Sequence, residues 1–396
     1  MNIRLLKDAE VSDKTVLLRT DYNVPVDESG ITNTFRIEKS LKTIKYLLDN
    51  DAKIVILSHR GRPKGQYREE YSLKIVSEYL SGILDREIIF IDSPFESENL
   101  KDIDKAPSGT VFMLENMRFH EGEKSGSSDL ASVFAGIGDV YVNDGFAVSH
   151  RKHMSVYTLP SMMKESYAGF LMEDEIRNLR HLTVSPKKPY VFIIGGAKIS
   201  TKLNVIRQTM NYASTILIGG ALAFTFLKAS GFHVGKSLLE EDMIDNCREI
   251  FKEARDKNVN IILPVDIVTA SSPESSDIRV LQRNALTDND MGLDIGPVTI
   301  EIFRGAVESA GTIAWNGPMG YFEKKQFSEG TVKIAEAVGE ATDRGAFSVA
   351  GGGDSVAALS QLDKIDSVSF LSTGGGAMLE MLSGIELPGI NVLKEE

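Results

Sequence analysis

The chain has 396 residues, 44 Lys and Arg against 56 Asp and Glu, and a formal net charge of −12. That length exceeds what one hydrophobic core supports, so two domains are expected, and the acidic balance argues against nucleic acid or an anionic membrane as partner. A single cysteine, Cys247, rules out a disulfide framework and suits a reducing, cytoplasmic compartment.

In chain order, residues 1–14 hold no apolar core run, so no signal peptide is expected, and no stretch approaches the roughly 18 apolar residues of a membrane span. VLLRTDYNVP (16–25) reads as a strand running into a polar turn with Asp21 and Asn23. Arg36 opens the helical pattern IEKSLKTIKYLLDN. IVIL (54–57) is a second buried strand, followed by SHRGRPKG with His59, Arg60, Arg62 and Lys64. EIIFID, TVFMLENMRF and DVYVNDGF continue the series and deliver Arg118, then His150 and Arg151. In the second half the strands are YVFIIGG, TILIGG, NIILPVD, TIAWNGP, FSVAGGGD and VSFLSTGGG. Cys247 lies in a helical pattern and reads as a half-buried helix residue.

Continuous apolar strands alternating with amphipathic helices predict an α/β fold with parallel sheets and helices on both faces. Ligands of such sheets bind beyond the carboxyl ends of the strands, where this chain concentrates Gly, Asn, Asp, His and Arg. The connector is expected in residues 165–186, where Phe170, Leu171, Ile176, Leu179 and Leu182 form an apolar stripe ended by Pro186 and Pro189.

Familiar phosphate loops fail. GFHVGKS is one residue short of a P-loop, because Ser230 stands where Gly is needed, and no G-x-G-x-x-G fingerprint survives. What remains are four glycine-rich strand-to-helix turns, at 195–198, 218–228, 350–355 and 372–382, suited to bringing backbone N–H groups onto phosphate. Lys198 and Lys202, at i and i+4, are expected to project together from the start of one helix. Asp354 is placed to hold Mg²⁺ against phosphate oxygens, or else to cap a helix; Glu323 could meet a ribose hydroxyl. Each first-half arginine alone is an ordinary salt-bridge partner. Together they lie on one rim and suit bidentate binding of phosphate or carboxylate.

RTDYNVP, SHRGRP, LENMRFHEGE, VNDGFAVSHR, GGAKISTK, GGALAFTFLK, LDIGP, WNGPMGYFE, AGGGDS and STGGGAMLEML, in this order, resemble the signatures of the phosphoglycerate kinase family over nearly the whole chain. The resemblance implies two Rossmann-like lobes, each a parallel β-sheet flanked by helices, joined by a connector helix. The implied boundaries are residues 1–168 for the phosphoglycerate lobe, 169–185 for the connector and 186–382 for the nucleotide lobe, with about 383–396 packing back on the first lobe. It implies a monomeric cytoplasmic enzyme that acts on 3-phosphoglycerate or 1,3-bisphosphoglycerate with ATP or ADP and Mg²⁺. The phosphoglycerate contacts implied are Asp21, Asn23, Arg36, His59, Arg62, Arg118, His150 and Arg151. In that reading His59 meets the carboxylate end and the arginines meet the 3-phosphate. The nucleotide contacts implied are Gly196, Lys202, Gly219, Gly220, Gly292, Leu293, Asn316, Pro318, Glu323, Gly352, Gly353, Asp354 and Ser355, with Mg²⁺ on Asp354. Arg36, Lys198, Lys202 and the N–H groups of Gly374, Gly375 and Gly376 would face the phosphoryl group in flight.

The chain departs from the family at Tyr22, where Phe is usual, and at Arg60, where Leu is usual. Arg60 puts an added positive charge near the anion site or else on the solvated surface. Gly145, Ala147, Val148, Ser149 and Lys152 also differ, beside a retained His150 and Arg151. Two other readings stand beside this one. A catalytically silent nucleotide-binding relative would keep the fold without the chemistry. An NAD-dependent dehydrogenase is disfavoured by the missing glycine fingerprint.

Overall fold

A computed structural model of the chain describes residues 3–361 and 365–395. It divides into two compact units, Met1–Arg177 with Glu386–Glu396, and Asn178–Ile385.

The first unit is built on β1 (Thr15–Arg19), β2 (Lys53–Leu57), β3 (Ile88–Ile91), β4 (Val111–Leu114), β5 (Val140–Asn143) and β6 (Ser166–Ala168). They form one sheet in the order β3-β4-β2-β1-β5-β6, every neighbouring pair parallel. Successive side chains of a strand face opposite ways, and here both faces are apolar. Val16, Leu18, Ile54, Ile56, Met113 and Val142 belong to one core, which takes in Ile37, Ile44 and Leu47 of helix α1 (Phe35–Asp49) and Val76 and Leu80 of α2 (Lys74–Leu84). Leu17, Val55, Leu57, Phe112 and Tyr141 belong to a second core with Leu130 and Phe134 of α3 (Ser128–Ala135). Two covered faces explain why the strands read as unbroken apolar runs. The last residues return to this unit: Ile3 and Lys394 form an antiparallel bridge, and Asn143 Nδ2 donates to the Gly389 carbonyl at 3.0 Å. The boundary between the units falls inside α4 (Phe170–His181), whose Ile176 and Leu179, like the following Leu182, are buried.

The second unit repeats the plan with β7 (Tyr190–Ile194), β8 (Thr215–Ile218), β9 (Asn260–Ile262), β13 (Thr312–Asn316), β14 (Phe347–Gly351) and β15 (Phe370–Ser372). Their order is β9-β8-β7-β13-β14-β15, again all parallel. Between β9 and β13 the chain makes a separate antiparallel sheet not foreseen in the sequence, from β10 (Asp266–Ala270), β11 (Arg279–Gln282) and β12 (Met291–Ile295) in the order β11-β10-β12. The LDIGP segment ends β12 and runs through Gly296 into a helix that begins at Pro297. Flanking helices include α5 (Leu203–Thr209), α6 (Leu222–Ala229), α7 (Ile244–Asp256), α8 (Pro297–Glu308), α9 (Glu329–Asp343), α10 (Gly353–Gln361) and α11 (Gly375–Leu382). Cys247 on α7 is fully buried, deeper than its sequence suggested, and burial pushes its thiol up to about 12.

Candidate active site

In the first unit, four parallel strands end on one edge and deliver the polar residues there. β1 ends at Arg19, which is completely buried. Its Nε donates to Ser155 Oγ at 2.7 Å, and its Nη2 lies 3.3 Å from His59 Nδ1 and 3.9 Å from Glu123 Oε1. Glu123 is equally buried and accepts the Ser155 hydroxyl at 2.8 Å and the Ser155 N–H at 3.0 Å. Guanidinium groups only donate, so His59 Nδ1 is the acceptor and its proton sits on Nε2. That nitrogen faces Asp21 Oδ1 at 3.9 Å.

Asp21 gathers this corner. It accepts from Arg36 Nη1 at 2.9 Å and from the Asn23 N–H at 2.9 Å. Burial opposes its ionisation, but Arg36, the Asn23 N–H and Arg19 outweigh burial and hold the carboxyl well below the usual range. Burial also drives His59 well below the usual imidazole range; Asp21 opposes this, while Arg118, Arg19 and Arg36 add to it, so the ring is neutral near pH 7. Asn23 Oδ1 accepts the Gly61 N–H at 2.9 Å, and Arg118 Nη1 donates to the Gly61 carbonyl at 2.8 Å. These bonds tie the SHRGRP turn to the turns after β1 and β4. Burial, with repulsion from Arg19 and Arg62, lowers Arg118 to about 10 against the pull of Asp21 and Glu123. Arg62 and Arg151 are exposed, and His150 is partly buried and pushed down to about 4 by burial and then by Arg151. A cluster of cations that depress one another is relieved by a bound anion.

One sequence expectation changes here, and one residue is new. Arg60 is neither a surface residue nor a ligand of the basin: it is 6% exposed and its guanidinium donates to the Glu70 carbonyl. Arg19 was missed, because it is hidden inside an apolar strand run. Tyr22, the departure from Phe, is accommodated by a hydrogen bond of 2.9 Å between its hydroxyl and Ser40 Oγ on α1.

In the second unit the strand ends are glycines, and the close approach of their backbones explains why. A Cβ on Gly195 would sit 1.9 Å from the Pro318 carbonyl oxygen. Gly220, at φ +64°, would place one 2.4 Å from the Gly196 nitrogen. These turns border a cavity of about 380 Å³ lined by Gly196, Gly220, Phe224, Gly292, Leu293, Pro318 and, on its rim, the exposed Glu323. Its walls are mainly apolar, which suits a flat aromatic ring system. From the cavity a row of groups continues along the strand ends. Lys202 Nζ donates to the Gly195 carbonyl at 2.5 Å and to Asn316 Oδ1 at 2.8 Å. Asn316 Nδ2 donates to the Gly351 carbonyl at 2.7 Å, and Ser355 Oγ accepts the Gly317 N–H at 2.8 Å. A Cβ on Gly375 would lie 2.4 Å from Gly352 Cα, so α11, with Gly374 before it and Gly376 in its first turn, abuts the turn that opens α10 at Gly353. Gly219 follows β8 and its N–H donates to the Ile194 carbonyl at 2.9 Å. The side chain of Asp354, the sequence-derived Mg²⁺ ligand, lies outside the described residues.

Lys198 and Lys202 do not share a helix. α5 begins at Leu203, Lys202 is its N-terminal flanking residue and partly buried, and Lys198 is exposed in the irregular turn before it. Glu240 braces this turn: its carboxylate takes the Ile199 N–H at 2.5 Å and the Ser200 N–H at 3.1 Å. No local signal in the sequence marks that partner.

A family model described as phosphoglycerate kinase matches residues 6–385. The phosphoglycerate kinase of Thermosipho africanus is 44% identical over 387 residues, covering 97% of this chain and 96% of that protein. That of Finegoldia magna is 43% identical over 398 residues and covers all of both chains. Among solved structures, the phosphoglycerate kinase of Coxiella burnetii superposes with a TM-score of 0.86 at 36% identity, covering 99% of this chain and 98% of that one. That of Pyrococcus horikoshii gives 0.87 at 31% identity with the same coverage. With two parallel-sheet units whose strand ends carry the motifs, and relatives matched end to end, the chain belongs to the phosphoglycerate kinase family and is a kinase.

Proposed function

We propose that the protein catalyses the reversible Mg²⁺-dependent transfer of a phosphoryl group between 1,3-bisphosphoglycerate and ADP, giving 3-phosphoglycerate and ATP. The observation that carries this reading is Lys202 Nζ, bonded to Gly195 and Asn316 where three glycine turns meet beside an apolar cavity. In this reading the cavity takes the nucleotide base, Glu323 meets the ribose, and Gly219, Gly352, Gly353 and Ser355 border the phosphates. The first unit binds phosphoglycerate: Arg62, with Arg36, Arg118 and Arg151, meets its 3-phosphate, and Asp21, Asn23, neutral His59 and the equally neutral His150 meet its hydroxyl and carboxylate.

Both nucleophiles of the reaction, a carboxylate and a phosphate oxygen, are ionised near pH 7, so no general base is required. Catalysis rests on positioning and charge neutralisation. Lys198, Lys202, Arg36 and the N–H groups of Gly374–376 neutralise the equatorial oxygens of the transferring group. Mg²⁺ sites on nucleotides take one or two protein carboxylates and otherwise use phosphate oxygens and water. That fits this donor set: Asp354 follows the glycines that open α10, and no group of three or more His, Cys, Asp or Glu is gathered among the described residues as a cage. When bound, the ion would supply further neutralisation of phosphate charge.

Transfer requires the two ligands to meet, so the proposal includes a closure about residues 169–185, which also sheds water from the acyl phosphate. Small-angle scattering that shows no compaction with both ligands bound refutes the closure. The activity itself is tested with MgATP and 3-phosphoglycerate, trapping the acyl phosphate with an NADH-consuming enzyme. Lys198→Ala and Arg36→Ala are each expected to lower kcat by about 10²–10³. Near-normal kcat in either removes that residue from the mechanism, and nucleotide binding without turnover in the unmodified protein favours the silent relative.

A further inference from the structure

The GFHVGKS segment, a P-loop one residue too short, has a different use in the fold. Its Gly235 adopts φ +56° against the Asp290 and Thr287 carbonyls, and the Lys236 N–H donates to the Asp290 carbonyl at 2.8 Å. Ser237 Oγ then accepts the Gly292 N–H at 2.9 Å, which fixes one edge of the apolar cavity. Leu238 forms part of the cavity wall. Two residues on, the Glu240 N–H donates to Thr225 Oγ1 of α6 at 3.3 Å. The Glu240 carboxylate meanwhile takes the Ile199 and Ser200 N–H groups and the Ser200 hydroxyl, the last at 2.6 Å. Burial works against its charge, but these donors and Lys198 outweigh burial and hold the carboxyl below its usual range. One short segment thus touches the cavity at one end and the turn of Lys198 at the other.

We propose that residues 234–240 are a strap coupling the cavity wall to the Lys198 turn, with Glu240 as the positioning residue of that turn. Three donors on one carboxylate pin residues 199–200 ahead of the helix that follows, so Lys198 is presented from a braced turn. The inference rests on the reading that Lys198 faces the transferring phosphoryl group.

The test is a double-mutant cycle between Glu240 and Lys198, read in kcat and in KM for 3-phosphoglycerate. Glu240→Ala is expected to lower kcat by about tenfold to 10²-fold, the scale of a misplaced catalytic group. KM for 3-phosphoglycerate should not move, because its half-site is in the other unit. On a Lys198→Ala background the same change should cost less than about twofold, since the group it positions is gone. A full, additive loss on that background overturns the proposal, as does a Glu240→Ala enzyme with unchanged kcat. If the alanine variant does not fold, Glu240→Gln, which keeps the size and one acceptor oxygen, is read in the same cycle with the same criteria. Near-normal turnover of Lys198→Ala alone would instead bring down the reading of Lys198 and the proposal with it.

Discussion

Asp144 offers a stability test that needs no substrate. It follows β5, is 1% exposed, and its Oδ1 accepts the Met172 N–H at 3.2 Å in the first turn of α4. Its Oδ2 is buried with no partner among the described residues. Burial, only partly offset by Thr43 and the Met172 and Leu171 N–H groups, raises the carboxyl from 3.8 to about 7. The folded state therefore holds a proton that the unfolded chain releases, and stability falls as pH rises from about 4 to about 7. At 1.36 kcal/mol per pH unit the cost above neutrality is about 4 kcal/mol. The positive end of α4 returns about 0.3–1 kcal/mol, which leaves about 3. Asp144→Asn keeps the acceptor for Met172 and carries no charge at any pH. The variant should match the parent within about 1 kcal/mol at pH 4 and exceed it by about 3 kcal/mol at pH 8. Hydrogen exchange of β1 and β5 amides across a urea series reads the first unit. The only tryptophan, Trp315, is buried in the second unit and its fluorescence is the internal control. A difference between the two proteins that stays the same at both pH values refutes the reasoning.

Gly220→Ala combines a left-handed backbone, worth about 1–2 kcal/mol against a side chain, with a Cβ driven into backbone atoms, worth about 1–3. It should lower the stability of the second unit by about 2–5 kcal/mol, and an unchanged urea midpoint by Trp315 fluorescence would contradict the packing described. Arg19→Met strands the buried Glu123 carboxylate and should cost about 3–5 kcal/mol in the first unit. The combined Arg19→Met/Glu123→Gln should recover much of it; equal losses in the single and double variants would show that the two charges are not coupled. Tyr22→Phe leaves Ser40, whose hydroxyl already donates to the Ile37 carbonyl at 2.7 Å, with a partner. The loss should be no more than about 1 kcal/mol by thermal denaturation, and a larger one would place the Tyr22 hydroxyl in a wider network.

The architecture was legible because burial on both faces writes itself as apolar runs, and glycines mark where strands end. Val16, Leu17 and Leu18 show the rule: neighbours in sequence, they enter opposite cores, and both cores demand hydrocarbon. What escaped depends on partners far along the chain. Arg19 reads as an interruption in a strand until Ser155, 136 positions away, and Glu123 supply its acceptors. The Lys198 turn reads as helix, and the bond that braces it, from the Ile199 N–H to Glu240 41 positions on, leaves no local mark. Arg60 looked like one more cation beside the anion site, yet the carbonyl of Glu70 holds it inward. The antiparallel β10–β12 sheet was lost because β11 is largely exposed and carries no continuous apolar run.

The pairing of Ile3 with Lys394, and of Asn143 with Gly389, bears on how the chain is made. The 208 residues from Asn178 to Ile385 form a unit inserted into another whose final layer is translated last. At about 5–20 residues per second, a ribosome takes roughly 10–40 s to cross that insert. Through that interval the nascent first unit waits with the carboxyl end of β5 uncovered at Asn143, where Gly389 will dock. The inserted unit, continuous in sequence, can complete its fold first.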